Sequence, residues 1–277
     1  MTAEVHFSVQ SQRNVHFVCG FKGNYYCLSM NRAFTLIELL AVICVIALLA
    51  AVSVPSLSRA RHNAKQAACL NNSRQITLAH ILYAADDASG SFSAKESTDD
   101  LDVNWLNGIL KSRQVWICPA TRNIISTNLG FSPFTGRLGL VDLINISTSR
   151  FSAGKSYQSM GVMGVGTPYS MTIPTANDGL IQISGLRKTD RNINSYVKYH
   201  NSFGLAGQVP GPSRIWICTE SLFVGNPYYP DSGDNHDERG VATGFCDGHV
   251  EFLVQAAYLR SYEFSQDEGR TGIPLTW

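Results

Sequence analysis

A single apolar stretch limits what this chain can become more than any other feature. From Phe34 to Leu57 it reads FTLIELLAVICVIALLAAVSVPSL, with Glu38 as its one charge. In a helix such a stretch rises about 36 Å, enough to cross a bilayer core of about 30 Å. A run that is apolar on every face over this length is read as a membrane helix rather than a core helix. Two of its residues stand out. A carboxylate inside a membrane segment is expensive without a partner, which makes Glu38 a candidate functional residue. Pro55 has no backbone donor and is expected to kink or loosen the helix around residues 51–55.

Composition narrows the classes further. Lys+Arg 22 against Asp+Glu 21 leaves a net charge of +1, so no broad attraction to nucleic acid is expected. Charged residues are 16% and hydrophobic residues 44% of the chain, which argues against intrinsic disorder and allows a sizeable core. The seven cysteines contain no CxxC pair, which disfavours a zinc finger or a thioredoxin-type centre. No GxSxG elbow, HExxH helix, phosphate loop or dinucleotide fingerprint occurs, so no enzymatic activity is expected. Residues 1–33 scatter their apolar positions and do not form a secretory signal. Two starts are open, Met1 and Met30, the latter standing just before Asn31-Arg32-Ala33. Arg32 precedes the apolar run while Arg59, Arg61 and Lys65 follow it, so charge alone gives no orientation in a membrane.

Beyond the membrane stretch the helical pattern continues. Residues 58–85 contain no Pro or Gly. Ala60, Ala64, Ala67 and Ala68 form one small-residue stripe, and Leu78, Ile81, Leu82 and Ala85 another at helical spacing. Asn71-Asn72-Ser73 weakens the middle, leaving both a broken and an unbroken helix open. His62 and His80 on this helix read as surface or packing residues rather than ligands. After Gly90, Gly and Pro become frequent and short β-like runs appear at Gln114–Cys118, Leu180–Ile183, Arg214–Thr219, Val241–Cys246 and His249–Val254. The similar runs Val115-Trp116-Ile117-Cys118-Pro119 and Ile215-Trp216-Ile217-Cys218-Thr219 are read as two buried strands, and residues 152–176 as a long irregular connection. Asp247-Gly248 predicts a two-residue type I′ hairpin. That turn would place Phe245 opposite Val250, Thr243 opposite Phe252 and Val241 opposite Val254, with their shared face on the long helix.

Ala33-Phe34-Thr35-Leu36-Ile37-Glu38-Leu39-Leu40 and the helix behind it resemble the processing site of type IV prepilins and type II secretion pseudopilins. The resemblance implies cleavage by a prepilin peptidase between Ala33 and Phe34, with methylation of the new amino terminus. It makes Glu38 the residue that neutralises a neighbouring subunit's amino terminus during assembly, and puts Pro55 where the family helix is often loosened. Ala33 departs from the family's usual Gly. Near the other end, His236 followed by Asp247-Gly248-His249-Val250-Glu251 resembles the C-terminal box of pilin-like proteins of planctomycete-type bacteria, with one intervening residue more than that box has. Asn71, Arg74-Gln75-Ile76 and Trp116-Ile117-Cys118-Pro119 also look like that group. The resemblance implies an α+β protein with a long N-terminal helical spine packed on a C-terminal antiparallel β-sheet domain with long loops. It divides into a leader (1–33), a transmembrane half-spine (34–57), a soluble half-spine (58–89) and a β-rich domain outside the inner membrane (90–277). The implied partners are prepilin peptidase and other pilin or pseudopilin subunits. A single-pass anchored enzyme or carbohydrate-binding protein that does not polymerise is the alternative.

Three further sets of residues bear on chemistry. Asp231, Asp234, Asp237 and Glu238 crowd one loop; it reads as a solvated acidic segment, with Ca²⁺ as the functional alternative, because calcium takes six to eight oxygens and major pseudopilins carry a calcium site in a C-terminal loop. His236, Cys246 and His249 match no standard transition-metal spacing. Cys69, Cys118, Cys218 and Cys246 allow three full pairings in an oxidising compartment, of which Cys118–Cys218 is suggested by the likeness of their surroundings. Chain purified from native membranes is expected to begin at a methylated Phe34, which mass spectrometry of the amino-terminal peptide reads directly. Chain that retains residues upstream of Phe34 would contradict that processing.

Overall fold

The computed structural model describes residues 34–93, 102–132, 136–145, 153–163, 170–174, 180–221, 230 and 235–268, with the backbone of two short paired strands, Phe17–Val18 and Leu28–Ser29. Two compact units meet in sequence at Arg59 and Ala60. The architecture is α+β.

Helix α1 (Leu36–Asp86) runs through Pro55 and through Asn71-Asn72-Ser73 without a break. In the first unit every residue from Phe34 to Arg59 is exposed, and the Ser53 and Ser56 hydroxyls donate back to the Leu49 and Ser53 carbonyls at 2.8 Å. Such back-bonding satisfies a hydroxyl inside an apolar helix.

In the second unit the rest of α1 buries Cys69, Ser73, Ile76, Thr77, His80 and Ala84, a spacing of three and four residues that defines one face. The polar middle of the helix is where that face meets the rest of the chain. The Asn72 amide donates to the Ile117 carbonyl at 3.0 Å, and Ser73 lies against Cys218 Sγ at 3.6 Å. Residues that weaken an isolated helix here gain partners from tertiary contact. His80 is fully buried between the Phe92 carbonyl (2.6 Å) and the Ser159 hydroxyl (2.9 Å), and burial pushes its imidazole down to about 4.

The principal sheet has four antiparallel strands in the order β4-β3-β2-β1, where β1 is Tyr157–Ser159, β2 Trp216–Glu220, β3 Gly240–Phe245 and β4 Val250–Val254. Helix α2 (Gln255–Gln266) follows β4 directly. Every residue of β2 and β3 is buried, because helices cover both faces of the sheet. Val241, Phe245 and Leu253 pack with Trp216 and with Tyr258 and Tyr262 of α2. Ala242 and Cys218 pack in the larger core with Cys69 and Ile76 of α1. A bulge between Trp216 and Cys218 lets two residues that would ordinarily share a face serve different cores.

Several expectations are corrected. The β3–β4 hairpin pairs Val241 with Leu253, Ala242 with Phe252 and Gly244 with Val250, one residue out of the expected register. Phe245 N–H donates to the His249 carbonyl and Gly248 N–H to the Phe245 carbonyl, each at 3.0 Å, so the loop is the three residues Cys246-Asp247-Gly248. Gly248 alone of the three has a positive φ, +93°, whereas a type I′ turn needs two such residues. The Val241–Phe245 face therefore packs on α2, and the alternate face packs on α1. Arg113–Trp116 is a 3₁₀ turn rather than a strand, its Trp116 and Ile117 carbonyls taken by Ser156 N–H and the Asn72 side chain. Residues 152–176, expected to be irregular, contribute β1 and the strands Val162–Met163 and Ser170–Pro174.

Gly244 is where sheet and helix approach most demandingly. A Cβ there would overlap Thr77 Oγ1 and come within 2.9 Å of Cys218 Sγ. Gly244→Ala is expected to destabilise the fold by about 1–3 kcal/mol, as overpacking does. Gly108→Ala, with nothing within 4 Å of the new carbon, serves as the near-neutral control in thermal unfolding followed by circular dichroism.

Candidate functional site

Four side chains far apart in the sequence meet at the end of β2. Cys69 comes from the buried face of α1 and Cys118 from the segment after the 3₁₀ turn. Glu220 ends β2, and His236 precedes the 3₁₀ turn Asp237–Arg239. Each is at most 1% exposed, and their candidate ligand atoms all lie within 4.8 Å of one another.

Local structure fixes each position. Cys69 and Cys118 form a disulfide with a Cα–Cα distance of 5.4 Å, well within the usual range for such a bond. The Cys69 carbonyl accepts from the Tyr157 hydroxyl at 3.3 Å, and Ala120 N–H points at Cys118 Sγ at 3.4 Å. Glu220 Oε2 accepts the Ala242 N–H at 3.0 Å, which ties the carboxylate to the neighbouring strand. His236 is held by its neighbour Asn235, whose amide donates to the Ser156 carbonyl at 3.0 Å. The edges of the Phe252 and His62 rings flank the His236 imidazole, at centroid distances of 5.4 and 6.1 Å.

Polar bonding inside this cluster is incomplete. His236 Nε2 lies 3.4 Å from Cys118 Sγ and 3.3 Å from Glu220 Oε1. The contact with Oε1 is close but outside hydrogen-bond geometry, so Oε1 and His236 Nδ1 are both buried without a hydrogen-bond partner. Taking a carboxylate out of water is expensive unless charge and hydrogen bonds compensate it. Its field reaches Tyr157, whose phenol burial first and then the Glu220 charge push well above the ordinary range. With Cys69 and Cys118 joined, the sulfurs are not thiolate ligands; the same four side chains would offer two thiolates, an imidazole and a carboxylate once that bond is reduced.

The residues singled out from sequence fall in several places. His236 belongs to this cluster. Asp247 and Gly248 lie in the hairpin loop instead, with His249 directly after it: Asp247 Oδ1 accepts from His249 N–H at 3.1 Å and lies 2.6 Å from its Nδ1, and the His249 ring stacks on Phe245 at 4.1 Å. The C-terminal box is thus divided between a buried cluster and a surface turn. Cys118–Cys218 is corrected to Cys69–Cys118. Cys218 is a free thiol on β2, 3.3 Å from Thr77 Oγ1 and 3.6 Å from Ser73 Oγ, and burial raises its pKa. Likeness of local sequence does not bring two sulfurs together; the α1 face does. Of the acidic loop, Asp237 and Glu238 lie in the 3₁₀ turn after His236, while Asp231 and Asp234 lie outside the described residues. Ala33 also lies outside them. Glu38 has a local role that the sequence reading missed. Thr35 N–H and Oγ1 donate to Glu38 Oε2 at 3.0 and 2.9 Å, and Glu38 N–H points back to Thr35 Oγ1 at 3.3 Å. Thr-x-x-Glu here closes a capping box at the start of α1. Glu220 was also missed, although a lone acid ending the apolar strand WICTE is the kind of signal that marks a buried charge.

The Cys69–Cys118 bond closes a loop with a sequence separation of 49 residues, for which chain entropy gives about 4 kcal/mol. The double variant Cys69→Ser/Cys118→Ser is expected to melt about 8–16 °C lower than the wild type under oxidising conditions. Cys218→Ser is expected to keep the Cys69–Cys118 crosslink in a non-reducing digest read by mass spectrometry; a crosslink that includes Cys218 in the wild type would overturn this pairing. No protein-family profile, curated protein or solved structure matches the chain.

Proposed function

We propose that this chain is a structural subunit of a type IV pilus or a type II secretion pseudopilus, cut ahead of Phe34 by a prepilin peptidase and assembled through the first half of α1. The observation that carries the reading is the surface of that half-helix. α1 is long and apolar enough to cross a membrane, with an exposed window of mean hydropathy 2.8 among the described residues. Leu36, Ile37, Leu48, Leu49, Val52 and Val54 are all more than 60% exposed. Such a surface needs lipid or other helices around it.

Within that surface Glu38 supplies specificity. In a single chain Thr35 donates two hydrogen bonds to Oε2 of its carboxylate, which eases insertion but leaves the charge unpaired. On assembly the amine of a neighbouring Phe34 takes over the carboxylate. A pair buried in lipid is satisfied at only one axial offset between subunits, and so it sets their register. The globular unit then decorates the outside of the filament, which accords with the absence of a recognisable catalytic motif in the sequence.

Two substitutions separate the charge from the cap. Glu38→Gln keeps an oxygen acceptor for the capping box but removes the charge, whereas Glu38→Ala removes both. Both variants are expected to insert normally and to lose incorporation into sheared filaments by roughly tenfold or more, in line with a buried charge left unpaired. Normal incorporation of Glu38→Gln would show that the residue serves only the helix start and would refute pairing with a neighbour.

A further inference from the structure

We propose that Cys69, Cys118, His236 and Glu220 form a zinc site that alternates with the Cys69–Cys118 disulfide, so that one set of side chains holds either a covalent crosslink or a metal crosslink. The inference concerns the globular unit and stands whether or not the chain polymerises.

The geometry supplies the first argument. A tetrahedral zinc ion binds sulfur at about 2.3 Å and nitrogen or oxygen at about 2.0–2.2 Å, so its ligand atoms stand about 3.3–3.8 Å apart. His236 Nε2 is 3.4 Å from Cys118 Sγ and 3.3 Å from Glu220 Oε1, already on the edges of such a tetrahedron. Cys69 Sγ completes the set once the two sulfurs part. Burial supplies the second, independent argument. Glu220 Oε1 and His236 Nδ1 are buried without hydrogen-bond partners. A cation coordinated by Oε1 and by His236 Nε2 compensates the carboxylate. Two sulfurs and an imidazole exclude calcium, which takes oxygen, and favour a thiophilic ion of tetrahedral habit.

Conversion between the two states balances. The disulfide accepts two electrons from a dithiol reductant, which itself becomes a disulfide and releases two protons. The S–S bond breaks, and the two thiolates formed bind one Zn²⁺. Reoxidation by a small-molecule disulfide, which takes up the two electrons and two protons to become a dithiol, re-forms the S–S bond and releases the Zn²⁺. The two states exclude each other because they use the same pair of sulfurs. Each ties α1 to the segment after the 3₁₀ turn, and the metal state adds β2 and the His236 turn to the same knot.

The test uses the full-length chain in detergent, reduced, freed of metal and titrated with Zn²⁺ against a chromophoric chelator, with Co²⁺ as a spectroscopic probe. One Zn²⁺ per reduced chain is expected, with none retained by the oxidised chain. The Co²⁺ form is expected to show a thiolate charge-transfer band and the intense visible bands of a four-coordinate ion. Glu220→Gln and His236→Gln are expected to weaken Zn²⁺ binding by more than the roughly 10–100-fold that losing an outer partner costs, and Cys218→Ser to leave it unchanged. If the reduced chain or a variant is unstable without metal, melting is measured with and without Zn²⁺: recovery of the melting temperature in the wild type but not in Glu220→Gln supports the site. Failure of the reduced wild type to bind or be stabilised overturns the proposal, as does equal binding by Cys69→Ser/Cys118→Ser or Glu220→Gln.

Discussion

The globular unit depends on the docking of one face of α1 against the sheet, at a separation that only the absence of a side chain permits. Gly244 faces Thr77, and Cys218 on the adjacent strand sits between Ser73 and Thr77. Around this contact Cys69, Ile76 and Ala79 join Cys218, Ala242 and Tyr157 in one core. Interiors are packed about as densely as organic crystals, so a close helix–sheet approach fixes the depth at which every neighbouring residue sits. The disulfide, the buried His80 and the Asn72 bond to the Ile117 carbonyl all follow from that placement.

On the opposite face of the sheet, α2 performs the matching task. Tyr258 and Tyr262 pack edge-on against Trp216 at 5.3 and 5.5 Å, and the Trp216 indole N–H donates to Ser261 at 2.9 Å. Aromatic rings with a polar end are suited to such a seam, since they fill volume and still satisfy their donors. Past the helix end, Asp267 adopts a left-handed conformation at φ +57° and accepts from the backbone N–H groups of Tyr199 and His200, from the Tyr196 hydroxyl and from the paired Lys198 ammonium. Polar groups buried at this end are compensated in full view, in contrast to the orphaned atoms at Glu220 and His236.

Much of the organisation was legible in the residue pattern. The exposed apolar half-helix, the continuation of α1 and the hairpin at Asp247-Gly248 were read correctly as elements. The hairpin's register was not, because two-residue and three-residue loops containing Asp-Gly differ only in whether one residue adopts a positive φ. The run Gln114–Cys118 looks like a strand by composition, yet its first three residues belong to the 3₁₀ turn Arg113–Trp116. Its β-type residues are buried by contact with Asn72 and Ser156 rather than by a ladder. β propensity records fit to a half-buried surface and not a backbone preference.

Sequence alone determined the membrane-length helix, its lone carboxylate and the α+β order of elements. These are properties of contiguous residues: apolar periodicity and chain length act along the backbone and need no partner. Only the tertiary structure decided which cysteines join, that His236 parts company with the Asp-Gly turn, and that Glu220 stands beside it. Those juxtapositions arise where segments distant in the chain cross, and the crossing is set by how α1 packs on the sheet, which no local pattern encodes.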